Sequence, residues 1–271
     1  TADRPPAMMG RMRIPTQGLV SVDTTADLVR LGLVLAVLVA LAAAVSRLAG
    51  LGYSRAQVTA ALRATLQLAL VGSVIAAVLD SWWLTAGFAA LMLAVASVTA
   101  GRRVAPPGSR GWIWGFVPIC AGALPTAAIL LATGVVPLVP IAVVPVVGIL
   151  VGGAMTATTL SGRRVADALR SRHGEVEAAL SLGLLDRDAR LLVSRSDAGL
   201  ALVPGLDQTR TVGLVTLPGA FVGMLLGGAT PLQAAAVQLV VLVALLLVAV
   251  VATAITLELS ARGTFAGATQ P

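Results

Sequence analysis

LQAAAVQLVVLVALLLVAVVATAITL, residues 232–257, contains no charged side chain and exceeds the ~20 residues that a helix needs to cross the hydrocarbon core of a bilayer. Six more apolar runs of comparable length precede it, at 28–49, 58–79, 82–100, 112–133, 138–160 and 200–228. Trp82, Trp83, Trp112 and Trp114 all stand at predicted span ends, where indole prefers the membrane interface. The chain is 58% hydrophobic and only 11% charged over its 271 residues, with a mean hydropathy of +0.95. A soluble domain carries about 25% charged residues. The expected fold is therefore all-α: a polytopic transmembrane helical bundle of about seven helices, filling residues 27–262 and interrupted by a charged segment after the fifth. Residues 1–26 are polar and proline-containing. They lack an apolar signal-peptide core and read as a flexible tail, as do 263–271.

The charge pattern excludes several functions. Every basic residue is arginine, and the chain has no lysine. A phosphate-gripping Walker A loop needs its lysine, so this chain is not itself a P-loop ATPase. The net charge of +7 marks helix ends rather than a nucleic-acid surface. Arg47 and Arg55, then Arg102, Arg103 and Arg110, then the 163–195 stretch, then Arg262 occupy alternate connections, while the opposite connections have no arginine. By the positive-inside rule the arginine side is cytoplasmic, which puts the N-terminus outside and the C-terminus inside. The tail arginines oppose that placement, and an even number of spans would remove the conflict. Cys120 is alone and His173 is the only histidine, so neither a disulfide framework nor a zinc-type site is expected.

Within the charged stretch, Val165, Leu169, Val176, Ala179 and Leu180 recur at helical spacing, predicting a helix over 163–182 that continues the fifth span. Gly174 is its weak point and Gly183 a plausible terminator. Asp186 is placed to cap a second helix over 187–193. Two amphipathic helices have an apolar stripe to bury, which leaves two readings open: a solvated hairpin, or a docking surface for a partner.

Four blocks carry a wider likeness: Arg63-x-x-x-Gln67-Leu-x-Leu-Val-Gly72; Pro145-x-x-Gly148-x-x-x-Gly152-x-Ala154-Met155; Glu177-Ala178-Ala179-Leu180-x-Leu-Gly183; and Leu202-Val-Pro204-x-x-Asp207-x-x-Arg210 running on through Thr211 to Pro218-Gly219. Together they resemble the Fet-type ABC transporter permease family, associated with iron export and, in plant relatives, with aluminium tolerance. The third block also resembles the start of the EAA loop that fits a cleft of the ATPase in bacterial ABC importers, although its proline arrives late, at Pro204. The resemblance implies a homodimeric exporting permease of the bacterial inner (plasma) membrane, with ATP and Mg²⁺ held by a separate cytosolic ATPase and no cofactor in this chain. It implies coupling to that ATPase through segment 163–199, with Arg163, Arg164, Glu175, Glu177, Ala178, Ala179, Leu180 and Gly183 as the contact residues. Where the family usually has Asn before the small-residue–Met pair, this chain has Gly153, so its cargo could differ.

Arg63 and Gln67 lie one turn apart on the second span, and Asp207 and Arg210 three apart at the start of the sixth. A charge at membrane depth costs ~2.5–3.5 kcal/mol or more unless paired or hydrated. An Asp207–Arg210 pair serving only folding is one reading; the other is that these four residues, with Met155 and Pro218, line the path or gate. Gly148 and Gly152, and Gly219, Gly223 and Gly227, form G-x-x-x-G steps for close helix packing. Pro204 and Pro218 are expected to kink the sixth span. Asp207, Gln67, Met155, Met224 and threonine hydroxyls are a poor set for a tight metal site. The alternatives are a permease for a non-metal cargo, an ion-driven secondary transporter and a membrane-embedded enzyme. The last needs Ser–His, paired Asp or His-metal groups at membrane depth, and the spans offer none.

Overall fold

The structure is a computed structural model, and it describes residues 24–265. The expected N-terminal tail up to residue 23, and residues 266–271 of the C-terminal one, lie outside the described residues. The described chain is helical and divides into two units, one reaching Val74 and the other starting at Ile75.

The first unit holds α1 (Thr25–Leu48) and most of α2 (Ser54–Asp80). The Thr24 hydroxyl caps α1 by accepting from the Asp27 amide at 3.2 Å. Gly50 and Gly52, at φ +65° and +75°, turn the chain between the helices. Leu33, Leu41, Leu62, Leu66 and Leu68 are all exposed. Helices that show leucine over most of their length are solvated by lipid.

The second unit takes the end of α2 and continues through α3 (Trp82–Val104), a 3-10 segment (Arg110–Gly115), α4 (Phe116–Ala132), α5 (Pro140–Ser171), α6 (His173–Ser181), α7 (Asp186–Gly199), α8 (Val203–Thr211), α9 (Gly219–Leu226) and α10 (Pro231–Ala261). Its bundle is α3, α4, α5 and α10, whose core is built mainly from small residues: Ala96, Ala100, Ala123, Ala154, Ala157 and Ala252, with Ile119, Leu150 and Val248 filling the remaining space. Small side chains bring helix backbones together where hydrophobic exclusion gives no drive. At Gly101 a β-carbon would stand 1.9 Å from the Trp112 carbonyl oxygen, and at Gly111 2.0 Å from that of Phe265. Buried hydroxyls turn inward to their own helices, as Thr126 does to Gly122 O (2.8 Å) and Ser161 to Ala157 O (2.7 Å).

Six helical stretches are long and apolar enough to cross a membrane: Thr25–Leu48, Ser54–Asp80, Trp82–Val104, Arg110–Ala132, Pro140–Ser171 and Pro231–Ala261. The expected sixth run, 200–228, is not among them. It is broken into a short 3-10 turn, α8, an irregular turn over 212–218 and α9. Gly213 adopts φ +84°, outside helical geometry, and Pro218 disfavours a helical residue before it and has no amide to donate, so both residues favour the break. The broken piece still packs along the N-terminal half of α10. Gly205 lies level with Leu246, halfway along α10, while α9 turns straight into the first residues of α10 at the other end.

Within the second unit the arginine-rich connections meet at one end. Arg163 donates to the Arg103 carbonyl (3.5 Å), Ser109 to the Phe265 carbonyl (3.4 Å), and Arg187 to Glu258 (2.7 Å). The helix expected over 163–182 breaks at Arg172, which leaves helical geometry at φ −116°, ψ 31°, two residues before the glycine singled out as its weak point. Asp186 does not cap α7. The N-cap is Leu185, and Asp186 is the first helical residue, paired with Arg190 at 2.7 Å. The helix runs on to Gly199.

Candidate functional site

Two places in the second unit depart from a plain lipid-facing bundle. The first is the hairpin at the arginine-rich end. α5 has 32 residues, about 48 Å at ~1.5 Å per residue, against a hydrocarbon core of ~30 Å. Its last turns therefore project from the membrane and carry α6 and α7 with them. The apolar stripe expected to need a partner is largely buried within the hairpin: Val176 and Ala179 of α6 pack on Ala189 and Val193 of α7, with Leu169 and Leu184 at the edge. Gly183, at φ +89°, ends α6. What remains outside is the tip. Glu177, Ala178 and Leu180 are exposed there, and Leu182 and Leu185 are 82% and 72% exposed.

Ionic contacts join the parts of this hairpin and tie it to α10. Arg172 grips both carboxylate oxygens of Glu175 (2.7 and 2.6 Å) and donates to the Val193 carbonyl (2.7 Å), with Asp197 at 3.4 Å. The Arg172 hydrogen bonds hold the Glu175 carboxyl below its ordinary pKa, and the same contact raises that of Arg172. Arg187 of α7 makes a two-point contact with Glu258 of α10 (2.7 and 2.8 Å), and Arg262 donates to the same carboxylate at 2.6 Å. The hairpin is thus fastened to the far end of α10. Arg172, Arg187, Asp197 and Glu258 were not among the residues picked from the sequence. Arg172–Glu175 and Glu258–Arg262 are spaced three and four apart, as helical pairs are, whereas the Arg172–Asp197 and Arg187–Glu258 contacts span 25 and 71 positions and carry no local pattern. Arg163 and Arg164 are exposed on α5, before the hairpin begins.

The second place is the broken crossing. Asp207 and Arg210 lie 3.6 Å apart on α8, with side chains 61% and 72% exposed. Beyond them the carbonyl of Thr211 accepts from the amides of Leu214, Val215 and Thr216, and the Gly213 amide reaches the Thr216 carbonyl at 2.9 Å. Leu214, Val215 and Leu217 point outward. Pro218 is the N-cap of α9. Nothing lies within 4 Å of a β-carbon added at Gly219 or Gly223, and at Gly227 only carbonyls of its own helix do. Gly152 is equally open, whereas Gly148 would meet the end of the Met92 side chain at 2.6 Å. Met155 packs against the bundle core. Arg63 and Gln67 are exposed on α2 in the first unit. Among the described residues, no group of three or more His, Cys, Asp or Glu side chains comes together as metal ligands.

The sequence model of the family described as "Uncharacterised protein family (UPF0014)" matches residues 28–265. The chain is 36% identical over 235 residues to "UPF0014 membrane protein STAR2" of Oryza sativa subsp. japonica, covering 86% of this chain and 82% of that one. It is 37% identical over 183 residues to "Protein ALUMINUM SENSITIVE 3" of Arabidopsis thaliana, covering 66% of each. It is 32% identical over 154 residues to "Probable iron export permease protein FetB" of Escherichia coli (strain K12), covering 57% of this chain and 60% of that protein. No solved structure matches.

Proposed function

This chain belongs to the UPF0014 family of membrane proteins, and we propose that it is the membrane-spanning permease subunit of an ABC transporter, acting as a homodimer on a separate cytosolic ATPase. The observation that carries this reading is the hairpin tip. Leucines at 180, 182 and 185 stand exposed beyond the end of a helix that has already left the membrane, where lipid does not cover them and water penalises them. An apolar tip beside Glu177 fits a cleft in a soluble partner. The absence of lysine from these 271 residues supports a nucleotide-gripping loop, with its ATP and Mg²⁺, carried by a separate chain. The membrane is a bacterial inner membrane, and the arginine-rich end with its hairpin is cytoplasmic.

The direction is export, and iron, which the E. coli relative's name specifies, is the first cargo to test. The oxygen and sulfur groups of the broken crossing and its surroundings are too few for a tight cation site. That leaves three forms of cargo: a weakly held and mostly hydrated ion, a chelate, or a molecule that is not a metal. The test is purification of the tagged chain from native membranes together with an ATPase bearing a Walker A loop, followed by stimulation of its hydrolysis. Glu177→Arg, Leu180→Asp and Leu182→Asp should each leave the chain inserted but lower stimulation at least ten-fold. Full binding and stimulation in all three variants would sink the reading.

A further inference from the structure

We propose that the broken sixth crossing faces its own counterpart in a second copy of the chain, so that two 212–218 turns and two Asp207–Arg210 pairs meet across the two-fold axis and together close the passage. This rests on the homodimeric permease reading and adds to it which surface forms the axis.

The argument starts from backbone polarity. The Leu217 amide and the carbonyls of Gly213, Leu214 and Val215 make no hydrogen bond among the described residues. They stand on the turn that joins α8 to α9, and both of those helices pack on α10, with Gly205 of α8 beside Leu246 of a helix long and apolar enough to cross the bilayer. Lipid cannot satisfy such groups. Irregular backbone persists at membrane depth only where protein covers it or water reaches it. The adjoining α8 surface has the same requirement, because an exposed Asp–Arg pair at this level is costly against hydrocarbon.

Charge selects the occupant. An isologous interface places residue i of one copy against residue j of the other, and j against i. A surface bearing one acid and one base three residues apart is complementary to itself in that arrangement: Asp207 of each copy meets Arg210 of the other, and the four charges alternate. The open β-carbon positions at Gly219 and Gly223 let the two α9 backbones come close on the same side. Leu214 and Leu217 then meet each other rather than lipid, and the open amides and carbonyls line the narrow passage left between the copies.

The experiment uses the full transporter in membranes. In a Cys120→Ser background, single cysteines at Leu214, Val215 and Leu217 are oxidised, and disulfide-linked dimers are counted. Leu91→Cys, on the exposed face of α3, is the control. Efficient cross-linking at two or more of the three positions and none at Leu91 is the expected result. In parallel, Asp207→Arg alone and Arg210→Asp alone, each gathering four like charges at the axis, should lower co-purification of two differently tagged copies at least ten-fold. Co-expression of the two variant chains should restore it. If tagged wild-type copies co-purify while the turn cysteines stay uncross-linked, the proposal is overturned. That holds whether those cysteines are shielded by the chain's own helices or react freely with a water-soluble maleimide in a cavity of one chain. If tagged wild-type copies never co-purify, the homodimer reading itself has failed.

Discussion

Replacing Gly101 with alanine puts a methyl group where α3 already touches the Arg110–Gly115 segment. The new β-carbon stands 1.9 Å from the Trp112 carbonyl oxygen and 2.8 Å from its carbon, and the same crossing leaves 2.7 Å between a β-carbon at Gly115 and the Ser97 carbonyl oxygen. To reach ordinary van der Waals contact, backbone must move away from backbone by roughly 1.5 Å. No rotamer change can absorb that, because the obstructing atoms are main chain. Overpacking of this kind costs ~1–3 kcal/mol, more when main chain must move, and the helix gain of alanine over glycine returns only ~1 kcal/mol. A net loss of ~1–2 kcal/mol lowers the folded-to-unfolded ratio by a factor of ~5–30. It also separates the Arg102 guanidinium from the Trp112 ring it covers at 5.6 Å. Gly87, on the same helix with nothing within 4 Å, is the control, and its alanine variant should be neutral or slightly stabilised. Reversible unfolding in mixed micelles, followed by tryptophan emission, measures both. Equal stability of Gly101→Ala and Gly87→Ala would refute the close-approach argument.

Glu258→Gln should leave ATPase docking intact, because the hairpin tip is unchanged, but it removes the charge that fastens α7 to α10. The expected outcome is several-fold less cargo moved per ATP hydrolysed, partly rescued by Glu258→Asp; an unchanged ratio would show that the contact does not transmit force. The Arg172–Glu175 contact predicts a pH dependence of the hairpin. Glu175 is held below its ordinary pKa, so its contribution is complete above about pH 4.3 and is lost as pH falls through the lower folded value. The protection factors of α6 amides, taken relative to the intrinsic exchange rate at each pH, should therefore fall only in that acid range, and Arg172→Gln should remove the dependence.

Much of this architecture could be read from the chain because each signal was local. Long apolar runs gave α1, α2, α3 and α10 to within a few residues. The arginine alternation anticipated an end where Arg103, Arg163 and Arg187 come together in the second unit. The 200–228 run misled because hydropathy sums side chains and ignores backbone. Leu214, Val215 and Leu217 score as membrane-embedded whether or not Gly213 and Pro218 allow a helix, and the kink expected from Pro204 and Pro218 is an outright break at 212–218. The hairpin shows the converse. Its stripe at Val176 and Ala179 was visible, but its partner on α7, Ala189 and Val193, could be known only once the chain had folded back. The Arg187–Glu258 contact joins residues 71 positions apart and depends on α10 returning to the same end of the bundle.

The broken crossing also constrains how the chain is made. A finished helix can pass from the translocation channel into lipid with every backbone group already paired. Residues 200–228 emerge before α10 exists and have no such form to adopt. They must wait at the channel or the headgroup region until Pro231–Ala261 has been synthesised and gives them a wall to lie along. α10 is thus both a span and the template that admits the segment before it.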